Sequence, residues 1–405
     1  TGLYYRCYYQ ITLANDFIRQ SADATVASKG ITGVDAEAIK KYRAEARFLR
    51  AYQYSILMDL FGNIPFVTDA EALGSVLPKQ RTRGEIFSYI ETELKAIEST
   101  LVDARKNEYG RADKAAAWAL LARLYLNAQV YTGTARNTDA ATYAKRVLDA
   151  GYSLITDYTK LMRADNNVNT SEFILTINYD GLKTQNWGGT TFLTHAPVGG
   201  SMVAAQFGVD GGWGGLRTTT GLSSKFPDLT GTADKRSQFY TTGQSADISD
   251  LTKFTDGYAI TKFRNINMNG TPGKNLTWVD IDFPIFRSAE MNLVYAEAVL
   301  RGGTGDAGAA LSYVNALRTR AGASTITAAQ LNLDFILDER ARELYWEGFR
   351  RSDLIRYNRF VESSYLWPWK GGVRGGTNVD GFRKLYPIPS ADISSNPNLV
   401  QNAGY

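Results

Sequence analysis

Hydrophobic positions in the first 160 residues recur every three to four residues, which is the period of a helix with one buried face. Residues 1–18 predict one such helix. Its predicted buried positions are Tyr4, Tyr8, Ile11, Asn15 and Ile18. Residues 35–67 predict a long helix that Gly62 and Pro65 end. Its predicted buried face consists of Ala46, Leu49, Gln53, Ile56 and Leu60.

Thr82 and Glu85 have the spacing of a capping box, in which two side chains satisfy backbone N–H groups at the start of a helix. The helix that follows has one apolar face. Its residues are Ile86, Ile90, Leu94, Ile97 and Leu101. An alanine-rich helix over 111–131 and a further helix over 139–151 come next. The first part of the chain is therefore predicted to consist of helical hairpins.

Helix pairs return in residues 288–359. The segment 288–322 predicts a helix–turn–helix of roughly the length of one tetratricopeptide unit. The segment 338–360 predicts a structural helix, with Gly348 at a contact between two helices. Its predicted surface ion pairs are Asp338 with Arg342 and Glu347 with Arg351. These patterns predict a mainly α fold whose scaffold is a TPR-like α–α superhelix built from two separate stretches of chain.

The middle of the chain has a different composition. Residues 181–221 contain 11 of the 37 glycines, and the sequence up to residue 283 is rich in Asp, Thr, Asn and Gly. Short strands are predicted over 172–178 and 258–263. A long loop region inside a compact protein usually carries function. The predicted regions are a helical scaffold over 1–165, a loop-rich, partly β insertion that binds ligand over 166–283, more scaffold over 284–360, and an irregular tail over 361–405 packed on the scaffold.

The overall composition excludes some classes of function. The net charge of +4 comes from 45 basic and 41 acidic residues, a balance that argues against nucleic-acid binding. No apolar run approaches the ~20 residues of a membrane span. Aromatic residues reach 12%, which suits either a wide helical core or contacts with sugar faces. Cys7 is the single cysteine and follows LYYR rather than small residues, so we predict that Cys7 is a packed core thiol and not the site of a lipid anchor.

Three motifs that carry chemistry elsewhere are rejected here. The pattern G-x-G-x-x-G at 303–308 follows a helix rather than a strand, so we interpret it as a helix–helix turn. Residues 265–270 resemble the start of a calcium loop, but the twelfth position is Leu276 and no carboxylate contributes. His195 is the only histidine, so the sequence cannot supply the several imidazoles of a histidine-type zinc site, and it shows no Ser–His–Asp relay. No cofactor, metal or catalytic residue is predicted, although spacing alone leaves a pair of glycosidase carboxylates open.

Five further segments occur in one order along nearly the whole chain. They are AEARFLRAYQYSILMDLFGNIPFVTD (44–69), GRADKAAAWALLARLYLNAQVYTG (110–133), RSAEMNLVYAEAVL (287–300), LDERARELYWEGFRRSDLIRYNRF (337–360) and KLYPIPSADISSNPNLVQNAGY (384–405). Together they resemble the SusD/RagB family of glycan-binding outer-membrane lipoproteins. The resemblance implies a cell-surface protein that holds an oligosaccharide or polysaccharide, without catalysis, for a SusC-like TonB-dependent transporter. It also implies attachment to the outer membrane through an N-terminal lipid anchor that this sequence does not contain.

The resemblance places a ligand-binding loop at GVDGGWGGLRTTTG (208–221), where two pairs of glycines flank Trp213. Sugar rings stack on aromatic side chains while polar groups bind their hydroxyls. Trp213 is therefore the first candidate platform, with Arg217 at its rim. The remaining predicted ligand-binding residues are Trp187, His195 and Trp278. A core role for Trp213 stays open, and Trp367 and Trp369 could face glycan, transporter or core.

Two alternative functions are compatible with the sequence. Tetratricopeptide scaffolds bind extended peptides in their groove, so the chain could be a peptide-binding or structural subunit of the same kind of transporter. A retained glycosidase activity is a third reading. Ligand bound in the helical groove, rather than over residues 181–221, would favour the peptide reading.

Overall fold

The computed structural model describes residues 1–71, 74 and 76–405. The mainly α prediction is confirmed. The helices are α1 (Gly2–Gln20), α2 (Asp23–Ser28), α3 (Gly33–Phe61), α4 (Arg83–Ile97), α5 (Lys114–Leu126), α6 (Ala128–Thr132), α7 (Asn137–Asp149), α8 (Gly189–His195), α9 (Thr220–Ser223), α10 (Ser288–Leu300), α11 (Ala307–Arg320), α12 (Leu333–Leu344), α13 (Arg350–Arg356) and α14 (Ser390–Ser395). The strands are β1 (Ile64–Phe66), β2 (Lys79–Arg81), β3 (Phe173–Ile177), β4 (Phe239–Tyr240), β5 (Ala259–Ile260) and β6 (Phe283–Arg287).

One compact unit consists of Thr1–Arg146 and Asp380–Tyr405. Within it, α3 packs against α1 and α4. The predicted capping box is confirmed, because the Thr82 hydroxyl accepts from the Glu85 N–H and the Glu85 carboxylate accepts from the Thr82 N–H at 2.8 Å. The predicted apolar face of α4 is buried. Cys7 is a buried free thiol as predicted, and burial raises its pKa to about 11.

The predicted buried face of α3 is wrong except at Gln53, which is buried. Leu49 is 47% exposed, and Ala46, Ile56 and Leu60 are only partly buried. The buried apolar residues are Ala44, Phe48, Ala51, Tyr54, Leu57, Met58 and Phe61. Three aromatic rings bury more apolar surface than the predicted residues would. Arg50 also lies on this buried side, where its guanidinium binds Asp69 at 2.5 Å and Glu93 at 2.9 Å.

The other compact unit consists of Val147–Val379. In this unit α10 and α11 form the predicted helix–turn–helix, α12 packs on α10, and β3 pairs antiparallel with β6. The G-x-G-x-x-G pattern at 303–308 lies in the turn between α10 and α11, where the Asp306 carboxylate caps α11. The predicted helix turn is thus confirmed. The regions predicted to end at residues 165, 283 and 360 stay predictions. They were defined by sequence composition, whereas the two compact units are defined by contacts between residues.

The single helix predicted over 338–360 is wrong. α12 ends at Leu344 and α13 begins at Arg350, and between them Trp346 and Gly348 have φ values of 64° and 87°. Gly348 is exposed, and a Cβ built there would meet no atom within 4 Å. The helix contact predicted at Gly348 is therefore absent among the described residues. The glycine is required by its left-handed backbone instead.

The ion pairs predicted along that segment are replaced by others. They are Asp338 with Lys225, Arg342 with Glu339, and Glu347 with Lys262 and Arg287. Glu347 is buried, because the turn after α12 directs it inward to partners contributed by other segments. Burial of a carboxylate is tolerated only when charges and hydrogen bonds compensate it.

A buried network of charges lies beside this turn. The Glu343 carboxylate binds Arg320 at 2.5 Å, Arg287 at 2.6 Å and Arg236 at 3.3 Å. Burial alone would raise the pKa of Glu343, but the positive charges of the three arginines outweigh it and hold the pKa well below its usual range. The carboxylate is therefore ionised in the folded protein at neutral pH.

Candidate functional site

Three tryptophans from separate segments lie together in the Val147–Val379 unit, and we call them the tryptophan cluster. Trp187 precedes α8, Trp213 follows it in the glycine-rich loop, and Trp278 precedes β6. The ring centroid of Trp187 is 4.3 Å from that of Trp278 and 6.1 Å from that of Trp213, with interplanar angles of 56° and 54°. Trp187 is 60% exposed, Trp213 is 42% exposed and Trp278 is partly buried. The cluster is thus an accessible set of tilted rings.

The Trp213 loop lies directly against the end of α8. The Trp213 N–H donates to the His195 carbonyl at 3.0 Å, and the Gly214 N–H donates to the Val198 carbonyl at 2.8 Å. A Cβ at Gly212 would lie 2.1 Å from the Val198 carbonyl oxygen. Glycine is therefore required at 212 because two stretches of backbone approach closely there. Gly212 therefore fixes the position of the loop.

The Trp213 ring is partly packed and partly open. It stacks on the His195 imidazole, with centroids 5.2 Å apart and planes 18° apart. The exposed ring of Phe192, one helical turn before His195 on α8, lies 5.9 Å from Trp213. Trp213 is therefore neither a fully buried core residue nor a ring without contacts on the surface. Its supported ring is suited to present one surface to a ligand.

His195 holds two segments of the site together. It is 1% exposed, and its Nδ1 lies 2.7 Å from the Gly211 carbonyl oxygen while its Nε2 lies 3.0 Å from that of Thr277. Both oxygens can only accept, so each contact is a hydrogen bond in which the facing ring nitrogen donates. We interpret His195 as a positioning residue that ties the Trp213 loop to the segment carrying Trp278. A direct ligand contact by His195 stays a prediction.

Arg217 is directed to another loop. Its Nη2 donates to the Leu251 carbonyl at 2.9 Å, its Nη1 donates to the Lys253 carbonyl, and its guanidinium lies 5.8 Å from the Phe254 ring. Among the described residues, these contacts do not bring Arg217 to the tryptophan cluster. Its role at the rim of a ligand site stays a prediction.

Two polar residues beside the cluster were missed in the sequence. Asp210 is exposed, lies three positions before Trp213, and accepts a hydrogen bond from the Thr277 hydroxyl, one position before Trp278. Such groups suit sugar hydroxyls at the edge of an aromatic platform. Phe192 was also missed, although its helical spacing from His195 was a usable signal.

Trp367 and Trp369, whose surroundings the sequence left undecided, lie elsewhere in the same unit. The Trp369 indole N–H donates to the Ile248 carbonyl at 3.0 Å, so this ring anchors a loop. Trp367 lies 6.1 Å from Phe360 and 6.4 Å from Tyr365. In the part of the chain that the structure describes, no group of His, Cys, Asp and Glu side chains is arranged to hold a metal ion. No described helix combines the length and apolar character needed to cross a bilayer.

Two family models match the chain. Residues 228–405 match the model described as the SusD family. Residues 1–126 match the model described as starch-binding associating with outer membrane. Both matches agree with the family resemblance identified in the sequence.

Relatives with similar sequence carry related names. The starch-binding protein SusD of Bacteroides thetaiotaomicron is 37% identical, in an alignment that covers 100% of this chain and 78% of the relative. SusD-like protein P2 of Formosa agariphila is 26% identical over 95% of this chain and 78% of its own. The first name describes starch binding, and neither name states a catalytic activity.

Solved structures share the fold. Surface glycan-binding protein A from Bacteroides uniformis superposes with a TM-score of 0.76 at 24% identity, covering 99% of this chain and 85% of that one. Surface glycan-binding protein A from Bacteroides thetaiotaomicron, solved in complex with laminarihexaose, has a TM-score of 0.72 at 24% identity and covers 97% of this chain and 85% of its own. The full-length sequence match and the two family models agree, and the chain belongs to the SusD family.

Proposed function

We propose that this protein binds an oligosaccharide or polysaccharide at the outer surface of the outer membrane, and that the tryptophan cluster is its binding site. The observation that carries the proposal is the convergence of Trp187, Trp213 and Trp278 from three segments. A pyranose has apolar C–H faces that stack on such rings, and the polar groups of Asp210 and Thr277 lie beside them.

The tilt of the rings favours a curved glycan. Neighbouring ring planes in the cluster differ by 54° and 56°. A flat, straight glycan that stacks on one ring would therefore not stack on the neighbouring ring. A chain that turns from one sugar to the next presents its faces in succession. The starch-binding relative is 37% identical over the full chain, and α-linked glucans of the starch type are curved. We therefore assign the ligand to this class.

Delivery to a partner is the second half of the proposed function. Membership of the SusD family and the match to a model described as associating with outer membrane support a lipid-anchored subunit that passes glycan to a SusC-like TonB-dependent transporter. Affinity purification of the tagged protein from its native membrane should recover a transporter of this class. Recovery of a folded, anchored protein without any such partner would contradict this half of the proposal.

Calorimetry tests the binding half. Maltoheptaose should bind more tightly than laminarihexaose or cellohexaose, and chromatography after long incubation should show unchanged chain length. Trp187→Ala should weaken binding by roughly threefold to tenfold, the contribution of one aromatic stacking contact. Leu182→Ala is the matched control, because Leu182 is equally exposed on the same segment. Unchanged affinity of Trp187→Ala, or tighter binding of an extended peptide in competition, would reject the site.

A further inference from the structure

A cavity in the Val147–Val379 unit is lined by residues other than those of the tryptophan cluster. It has a volume of about 490 Å³ and lies between α9, the turn joining α12 to α13, and residues 360–367. This volume falls within the usual range of small-molecule sites. Its lining residue Leu366 is 46% exposed, so the cavity opens to the surface of the protein.

Aromatic rings form much of the cavity wall. The aromatic lining residues are Tyr345, Trp346, Phe349, Phe360, Tyr365 and Trp367. Trp367 is partly exposed and lies within stacking range of both Phe360 and Tyr365. The wall therefore offers a flat apolar surface of the kind that ring-shaped ligands use.

The cavity is also positively charged. Its basic lining residues are Lys225, Arg340, Arg350 and Arg351, and among the described lining residues Asp353 is the single carboxylate. Asp353 is already bound by Arg340 and Arg356, both at 2.8 Å. Arg350 donates to uncharged partners, the Leu337 carbonyl at 2.8 Å and the Tyr365 hydroxyl at 2.6 Å. Lys225 is paired with Asp338, which lies outside the lining, so the lining guanidinium whose hydrogen bonds go only to uncharged groups is that of Arg350.

Arg340 shows where an acceptor is missing. The residue is 3% exposed, and its Nε donates to Asp353. Its Nη1 is buried and has no hydrogen-bond partner among the residues that the structure describes. A buried guanidinium N–H without an acceptor is costly and rare in folded proteins. Because Nη1 is itself closed to solvent, an anionic oxygen in the cavity would reach it only after a small movement of the Arg340 side chain or of the wall around it.

We propose that the cavity binds a pyranose that carries a carboxylate, such as a hexuronic acid residue. The sugar face stacks on Trp367, and the carboxylate accepts hydrogen bonds from Arg340 and Arg350, which are stronger than neutral ones because both partners are charged. The cavity is too small for a passing polymer and accommodates about one or two sugar rings. This site does not depend on glycan binding at the tryptophan cluster.

The test uses the full chain, titrated with D-glucuronate and with D-glucose and followed by ligand-observed NMR. Glucuronate should bind, glucose should not, and added salt should weaken binding. Trp367→Ala should weaken glucuronate binding roughly tenfold. Arg340→Lys keeps a cation beside Asp353 but removes Nη1, and should weaken binding by a similar factor. Thermal melts show that each variant is folded.

Trp187→Ala is the control, because it disrupts the tryptophan cluster and leaves this cavity intact. Glucuronate binding should persist in Trp187→Ala even if maltoheptaose binding is lost, so the two proposals fail separately. Equal binding of glucose, loss of glucuronate binding in Trp187→Ala, or full binding by Trp367→Ala would each overturn the proposal. Binding of a peptide with a C-terminal aromatic residue, in place of glucuronate, would make the cavity a protein-docking pocket and would also overturn it.

Discussion

Gly212→Ala tests whether the glycine-rich loop positions Trp213 by close backbone contact. A Cβ at this position would lie 2.1 Å from the Val198 carbonyl oxygen and 2.7 Å from the Val198 Cγ1. The nearest obstacle is backbone, so no change of rotamer relieves the clash. The loop must move away from α8, and Trp213 must move with it.

The expected magnitude follows from the contacts that this movement breaks. Of the backbone hydrogen bonds that hold the loop, the two nearest to Gly212 run from Trp213 to His195 at 3.0 Å and from Gly214 to Val198 at 2.8 Å. At about 1 kcal/mol each, their loss lowers the free energy of unfolding by about 2 kcal/mol. Displacing the Trp213 ring removes a stacking contact of about 0.5–1.5 kcal/mol, which weakens glycan binding roughly threefold to tenfold.

Gly211→Ala is the matched control for this experiment. A Cβ at Gly211 would meet no atom within 4 Å, and its φ is not positive, so the same substitution one residue earlier should be silent. Urea denaturation and calorimetry with maltoheptaose on both variants give the comparison. Equal stability and equal affinity of the two variants would refute the reasoning.

Three further outcomes follow from the structure. Trp213→Ala should lower both stability and glycan affinity, because more than half of the side chain is covered; burying about 140 Å² of ring surface contributes about 3 kcal/mol. A change in only one of the two quantities in melts and titrations would be inconsistent with a supported platform. Gly348→Ala and Gly348→Leu should both cost about 1–2 kcal/mol in urea denaturation, since the strain lies in φ and not in crowding; a much larger cost for Leu would restore a helix contact. Glu343 has a lowered pKa in the folded state, so its contribution is present at neutral pH and the free energy of unfolding should fall as pH drops below about 5. Glu343→Gln should cost about 3–5 kcal/mol at neutral pH by chemical denaturation, because it leaves buried arginines uncompensated. Acid-independent stability would contradict this account.

The correctly predicted parts of the fold depend on interactions that are close in sequence. The capping box at Thr82 and the hairpin of α10 and α11 are of this kind. The failures involve buried charges whose partners are distant in sequence. Arg50 could be assigned to the buried side of α3 only if its contact with Glu93 were known. The break after α12 could be predicted only if the buried partners of Glu347 were known.

The candidate site shows the same limit. Composition and family resemblance were enough to select Trp187, Trp213 and Trp278, but not to predict that their rings meet. That convergence depends on hydrogen bonds from His195 to backbone in two loops, which no spacing in the sequence indicates. The direction of Arg217 is likewise decided by carbonyl groups at Leu251 and Lys253, in a loop without a recognisable motif.

The double contact of His195 has a thermodynamic consequence for any ligand of the cluster. Because one imidazole joins the Gly211 and Thr277 carbonyls, two of the three aromatic segments are already fixed relative to each other in the free protein. Ordering of loops on binding costs conformational entropy, and here most of that cost has been met during folding. Trp187 has the largest exposed fraction of the three rings. Selectivity among glycans should therefore arise from how well a chain fits the pair of rings whose segments His195 joins.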